Sequence, residues 1–360
     1  MVLSWDVASQ LHPRPGTVLA YLQALARLNW SGVDLFFVLS GFLIAGILID
    51  NRESENYLRA FYLRRVCRIF PLYYLFLLAF FLAKICFHGT ESGLNWLFQN
   101  QGVGGTGVGE LNRIPLWSYA LYLQNWWMAR TGTWGPGWLG ITWSLAVEEQ
   151  FYLFLPIAVL WIRPRWIGVM SAASIVFATL FRLAMPGLGA YCLLPSRLDA
   201  LMVGVLIAWL LRFHIVVLFL AKHVKLITTS LLMCTIFVCI LIARPGIIGT
   251  LRHSFLAFFY GLTLVVTVIF PSHGLSKIFQ WNLLRALGRI SYGIYLLHMG
   301  FTGTAYVLIV KHPPQIFTVR DAVASVGAIL VAIGAAYLSY ELMERRFIAF
   351  GQRYRYVKTA

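Results

Sequence analysis

The residues best placed to do chemistry sit in one short run, Trp143 to Leu153, which reads WSLAVEEQFYL. It puts two adjacent carboxylates, Glu148 and Glu149, inside an otherwise apolar stretch from about Ile141 to Ile162, long enough to cross a bilayer. A charge at membrane depth costs roughly 2.5 to 3.5 kcal/mol on insertion scales, so acids there are kept for a pathway, a site or a pairing partner. Neighbours on a helix point about 100° apart. Glu148 therefore shares a face with Ser144 and Glu149 with Leu145, which gives the two acids different jobs. A structural ion pair with an arginine such as Arg197 is the plain alternative for either acid.

Fewer groups elsewhere qualify. Asp34 and Ser40 lie in GVDLFFVLSGFLIAGILI, Arg197 and Asp199 in SRLDALMVG, and His298 in SYGIYLLHMG is the only histidine within a clearly apolar span. Each has a plain counterpart: Asp34 as a boundary residue, Ser40 as a small helix-packing residue, Arg197 and Asp199 paired with each other, His298 as a hydrogen-bonded core histidine rather than a proton carrier. Glu341 and Glu344, beside Arg345 and Arg346, read as an ion-pair cluster. Arg64, Arg65 and Arg68 in RRVCRIFP form the densest run of guanidinium groups, suited to phosphate oxygens and equally to a cytoplasmic membrane boundary.

The elements that must position these groups are membrane spans. The chain is 60% hydrophobic and 12% charged, with a mean hydropathy of +0.75, against about 25% charged residues in soluble domains. The expected fold is all-α, a polytopic integral membrane helical bundle. About nine full spans are read at roughly 32–49, 69–83, 141–162, 166–184, 198–211, 224–243, 255–271, 290–310 and 321–343. The stretch MVLSWDVASQL is too short to span and reads as the remnant of an N-terminal helix. FHIVVLFLA continues the 198–211 helix or forms a short interfacial turn, and IPLWSYALYLQNWW re-enters the bilayer or lies at its interface.

A net charge of +16 comes from short basic clusters between spans rather than a basic face, which excludes nucleic acid as a partner. Placing the cluster from Arg52 to Arg68 in the cytoplasm and alternating the spans puts most Lys and Arg inside, with a cytoplasmic C-terminus and a short basic tail over 344–360. The whole chain reads as one membrane domain. Five cysteines without a CxxC pair indicate neither a disulfide framework nor a metal site. The glycine-rich QGVGGTGVGE has no following GK[ST], so no phosphate loop is implied.

Five blocks, GVDLFFVLSGFLI, RRVCRIFPLYY, ITWSLAVEEQFYLFLP, SRLDALMVGVLIA and LGRISYGIYLLH, resemble the membrane acyltransferase-3 family in order and spacing, from about Gly32 to Glu344. The resemblance implies an integral protein of the bacterial inner (plasma) membrane that moves an acyl group, commonly acetyl from acetyl-CoA, onto a hydroxyl of an extracytoplasmic sugar: O-antigen, peptidoglycan, exopolysaccharide or a glycosylated small molecule. Arg65 and Arg68 fit the family's R-x-x-R pattern, which with Arg64 makes them the expected acyl-CoA handles. The expected sugar-side residues are Asp34, Ser40, Trp143, Ser144, Arg197 and Asp199.

One departure matters. Family members resemble one another in an arginine, then ten residues, then a first-helix histidine that is the favoured base. In this chain the histidine position falls near Trp5 or Asp6, the arginine would precede Met1, and His12 comes several residues too late. Either the start is misassigned and residue 6 has diverged, or the usual base is lost and the copy is a truncated, inactive homologue. Acyl transfer needs a base for the sugar hydroxyl and a group to stabilise the oxyanion. Asp6, Glu148, Glu149 and His298 are the remaining candidates for that work. A proton-coupled transporter or lipid-carrier flippase also uses buried acids and glycine-broken helices, but it would need no acyl-CoA handle, and the charged spans show no inverted repeat.

Overall fold

The computed structural model describes residues 30–86, 100–102, 114–243, 248–310 and 318–358. In chain order the main elements are α1 (Gly32–Asp50), α2 (Tyr57–Cys86), β1 (Asn100–Gly102), α3 (Leu116–Ala120), α4 (Gln124–Thr131), β2 (Thr133–Pro136), α5 (Trp143–Trp161), α6 (Ile167–Ala184), α7 (Leu194–Leu210), α8 (His214–Lys222), α9 (Val224–Ala243), α10 (Arg252–Ile269), α11 (Ser291–Ala305), α12 (Val319–Ser339) and α13 (Arg345–Gln352). Among the described residues nine helical stretches are long and apolar enough to cross a membrane. The fold is an all-helical membrane protein with one small two-stranded exception, β1 against β2.

Two boundaries differ from expectation for local reasons. Helix α2 starts at Tyr57, well before Ile69, because YLRAFYLRRVCRIF has no Gly or Pro and is rich in good helix formers. The basic run is thus the first turns of a spanning helix rather than a loop. Pro71 sits inside α2, as membrane helices tolerate. Helix α7 starts at Leu194 with Pro195 in its first turn, where the missing N–H costs nothing. Arg197 and Asp199 consequently lie within the helix. FHIVVLFLA forms a separate helix, α8, with none of its side chains buried.

The chain divides into two compact units. Of the described residues, the first takes 30–54, 148–243 and 248–286. In it α1 and α7 run parallel, with residue 34 beside 197 and Asp50 beside Arg212. They touch backbone to backbone: a Cβ added at Gly41 would strike the Leu201 carbonyl, and one at Gly204 the Val38 carbonyl. Small residues allow this close approach where lipid offers no hydrophobic drive between helices. Helices α6 and α10 also pack on α7, and α10 on α1.

Of the described residues, the second unit takes 55–86, 100–102, 114–147, 287–310 and 318–358. Here α11 and α12 run antiparallel, with Gly293 against Ala336 and the Tyr306 and Ser325 hydroxyls 2.7 Å apart. Helix α13 continues α12 through a π turn, Tyr340–Glu344, and seats Gly351 on Cys67 and Arg64 of α2. The tail read as starting at 344 is thus helical as far as Gln352. The segment carrying α3 and α4 packs against the middle of α2. Tyr73, midway along α2, donates to the Tyr119 carbonyl at 2.8 Å, and its ring stacks on Tyr122 at 4.5 Å. Nonhelical backbone at that depth must be covered by protein or line a wet cavity; Tyr119, Tyr122, Gln124 and Asn125 are all buried.

Candidate active site

Within the first unit, the N-terminal ends of α1, α7 and α10 bring together two buried ion pairs. Asp34 accepts from Arg197, with both side chains at most 1% exposed. Arg182 of α6 pairs with Asp199 at 2.7 Å and also reaches Ser254 at 2.5 Å and the Ser196 carbonyl. Ser254 in turn donates to Asp199 at 2.9 Å. The pairs are crossed relative to expectation. Arg197 and Asp199 do not bind each other, because residues two apart on a helix point to nearly opposite faces. Arg197 does not serve Glu148 either, since Asp34 takes it. Asp34 is therefore a buried partner, not a boundary residue.

Arg197 makes a further contact that sets the chemistry of a histidine. Its Nη1 lies 2.7 Å from His253 Nδ1. Arginine has no accepting nitrogen and stays protonated, so Nδ1 is the acceptor. His253 is then the neutral tautomer with its proton on Nε2, a donor and not a base.

Glu148 is 2% exposed and sits at the meeting of α1 and α5. Its Oε1 accepts from Ser40 at 2.5 Å and from Tyr152, one turn further along α5, at 2.8 Å. The two hydroxyls also contact each other. Ser40 thus does more than allow close packing. Glu149, rotated away as the helix geometry requires, is half-buried.

In the second unit, Trp143 is buried at the start of α5. Ser144, next to it, shares a 2.6 Å hydroxyl contact with Tyr295, which also donates to the Ile141 carbonyl at 2.9 Å. His298 is 1% exposed, with Nδ1 2.6 Å from the Tyr295 carbonyl. A carbonyl can only accept, so Nδ1 is the donor. His298 is thus hydrogen-bonded within the core of the second unit. Arg64 donates to the Tyr354 carbonyl at 2.9 Å and lies 4.9 Å over the Tyr356 ring. Arg65 lies over Phe61, and Arg68, one turn further on, is exposed. Glu341 and Arg345 pair at 2.8 Å. Glu344 departs from that expected cluster because the π turn rotates it inward, where Ser339 donates to it at 3.0 Å.

Asp6 lies outside the described residues, as do Trp5 and His12. Sequence reasoning missed His253, Arg182, Ser254, Tyr152 and Tyr295. His253 was hidden by placing its span at 255; a helix starting at Arg252 would have put it on a spanning element. Arg182, inside an apolar run, carried the membrane-depth signal used for Glu148 and went unread.

The match to known proteins fits this geometry. An acyltransferase-domain model covers residues 12–340. The chain belongs to the acyltransferase-3 family. It is 28% identical to the peptidoglycan O-acetyltransferase OatA of Listeria monocytogenes over 349 residues, 89% of this chain and 51% of OatA. It is also 28% identical over 319 residues, 79% of this chain and 47% of the relative, to YrhL of Bacillus subtilis, named provisionally as a peptidoglycan O-acetyltransferase. The chain spans about half the length of these curated relatives. No solved structure matches it.

Proposed function

We propose that this protein transfers an acetyl group from cytoplasmic acetyl-CoA to a hydroxyl of an extracytoplasmic saccharide, of the peptidoglycan class on the names of its relatives. The observation that carries this reading is the family match over residues 12–340. The geometry supports it in three places. Arg65 and Arg68 lie one turn apart on α2, with Arg68 exposed, a spacing that suits a pyrophosphate; Arg64 is committed to the tail segment. Glu148 holds two hydroxyls inside the first unit, and His298 is a buried imidazole held through Nδ1. Either can take the proton of an attacking hydroxyl. The thioester carbonyl is attacked, the oxyanion collapses, and the CoA thiolate leaves with a proton.

In this reading the arginine-rich start of α2 and the C-terminus face the cytoplasm, while the Asp34, Arg197 and His253 end of the first unit faces outward. The test is acetate released by mild base from purified cell-wall and surface polysaccharide of a deletion strain and its complement. Loss and restoration of ester acetate are expected; equal acetate in both strains refutes acyl transfer.

A further inference from the structure

The outward end of the first unit carries a group of side chains that neither acid–base work nor donor binding uses. The Trp30 ring stands edge-on to His253 at 5.3 Å and 6.4 Å from Tyr191, and Tyr191 lies 5.7 Å from His253. The Arg252 guanidinium is 5.0 Å over Trp30, and Arg197 is 5.2 Å over Tyr191. Three rings and two cations thus meet where α1, α7 and α10 begin. From this we infer that Trp30, Tyr191, Arg252 and His253 form a subsite for a saccharide bearing an acidic substituent, a reading that rests on the acyl-transfer function above and specifies its acceptor.

Four features select that class. Arg252 covers one face of Trp30 and Arg197 one face of Tyr191; both rings are half-buried, and an opposite aromatic face is the flat apolar surface that suits the C–H face of a sugar ring. His253, with Nδ1 held by Arg197, offers an Nε2–H donor that does not change sign with a proton transfer nearby. The second carboxylate oxygen of Asp34, in a side chain fully buried, has no hydrogen-bond partner among the described residues, so the same chain of groups retains capacity for one more O–H donor. Charge is the fourth feature. Asp34 balances Arg197 and Asp199 balances Arg182, which among the described residues of this cluster leaves Arg252 as the surplus cation and favours an anionic group on the ligand. Few placed polar groups among apolar surfaces are the usual composition of a small-molecule site.

The test is saturation-transfer difference NMR of the purified protein in detergent, with the N-acetylglucosaminyl–N-acetylmuramic acid disaccharide as probe. Acetyl-CoA binding is measured on the same samples by calorimetry. Wild type is expected to bind the disaccharide, and Trp30→Leu and Arg252→Met to weaken it at least tenfold while donor binding stays within twofold. His253→Gln, which can still accept from Arg197 and donate onward, should bind within threefold of wild type, whereas His253→Phe should not bind. Disaccharide binding absent in wild type, or unchanged in Trp30→Leu, overturns the subsite. Normal disaccharide binding without any acetate transfer would instead overturn the acyl-transfer reading and leave the subsite standing.

Discussion

Replacing Gly204 by alanine tests whether the buried clusters depend on the contact between α1 and α7. The added methyl would lie 2.6 Å from the Phe42 nitrogen and 3.0 Å from the Gly41 carbonyl carbon, and closer still to the Val38 oxygen, where ordinary contact begins at 3.4 Å. All three are backbone atoms, so no side chain can swing aside and α1 must retreat by at least about 0.8 Å, the difference between 3.4 and 2.6 Å. Overpacking of this kind costs about 1 to 3 kcal/mol. The same retreat shifts Ser40, next to Gly41, relative to Glu148, and a 2.5 Å bond moved beyond the normal O–H···O range would add about 1 to 3 kcal/mol for a buried acceptor left short of a donor. Against this, alanine gains only about 0.8 to 1 kcal/mol of helix propensity. Thermal unfolding in detergent should therefore show Gly204→Ala melting several degrees below wild type, with acetyl transfer reduced. Gly327→Ala in α12 is the control, because a Cβ there meets nothing within 4 Å, and propensity alone should leave it as stable as wild type or slightly more. A Gly204→Ala protein melting at or above wild type would refute the proposed contact.

Three further outcomes follow from the site. Glu148→Gln keeps an accepting oxygen for Ser40 and Tyr152, so it should insert and fold while losing about 10² or more of acetyl transfer, the usual scale for removing a general base; full ester acetate in vivo would reduce Glu148 to a pin between α1 and α5. Asp34→Asn leaves Arg197 charged and buried without its counterion, a loss of about 3 to 5 kcal/mol, and adding Arg197→Met should recover much of it; strictly additive losses in the double variant would contradict the pairing. Arg68→Ala should abolish acetyl-CoA binding measured by calorimetry without reducing membrane insertion, and unchanged donor affinity would move the donor site elsewhere.

The nine spans were legible because hydropathy acts locally: runs such as GVDLFFVLSGFLIAGILI have no other stable place than a bilayer or a core. The first turns of α2 were not, since four arginines, Arg59, Arg64, Arg65 and Arg68, masked a strong helix-forming stretch. The expected distinction between Glu148 and Glu149 appears as the buried and half-buried faces of one helix, a difference that follows from rotation alone. Partner choice was beyond reach. Arg197 and Asp199 are adjacent on paper but each binds a residue on another helix, and nothing local marks Asp34 as the partner of an arginine far along the chain. His253 shows the limit differently: its role depends on the donor at Nδ1, a fact of tertiary contact.

The pairing of Asp34 with Arg197 also constrains how the protein is made. The two residues are 163 positions apart, and at roughly 5 to 20 residues per second of synthesis the acid waits on the order of ten to thirty seconds before its arginine emerges from the ribosome. During that interval Asp34 has no counterion, and α1 is held in the lipid by its apolar remainder, joined by Glu148 at Ser40 once that residue is made. Shortening or polarising LFFVLSGFLIAGILI should thus be felt first as failed insertion, before any defect in the finished protein can show.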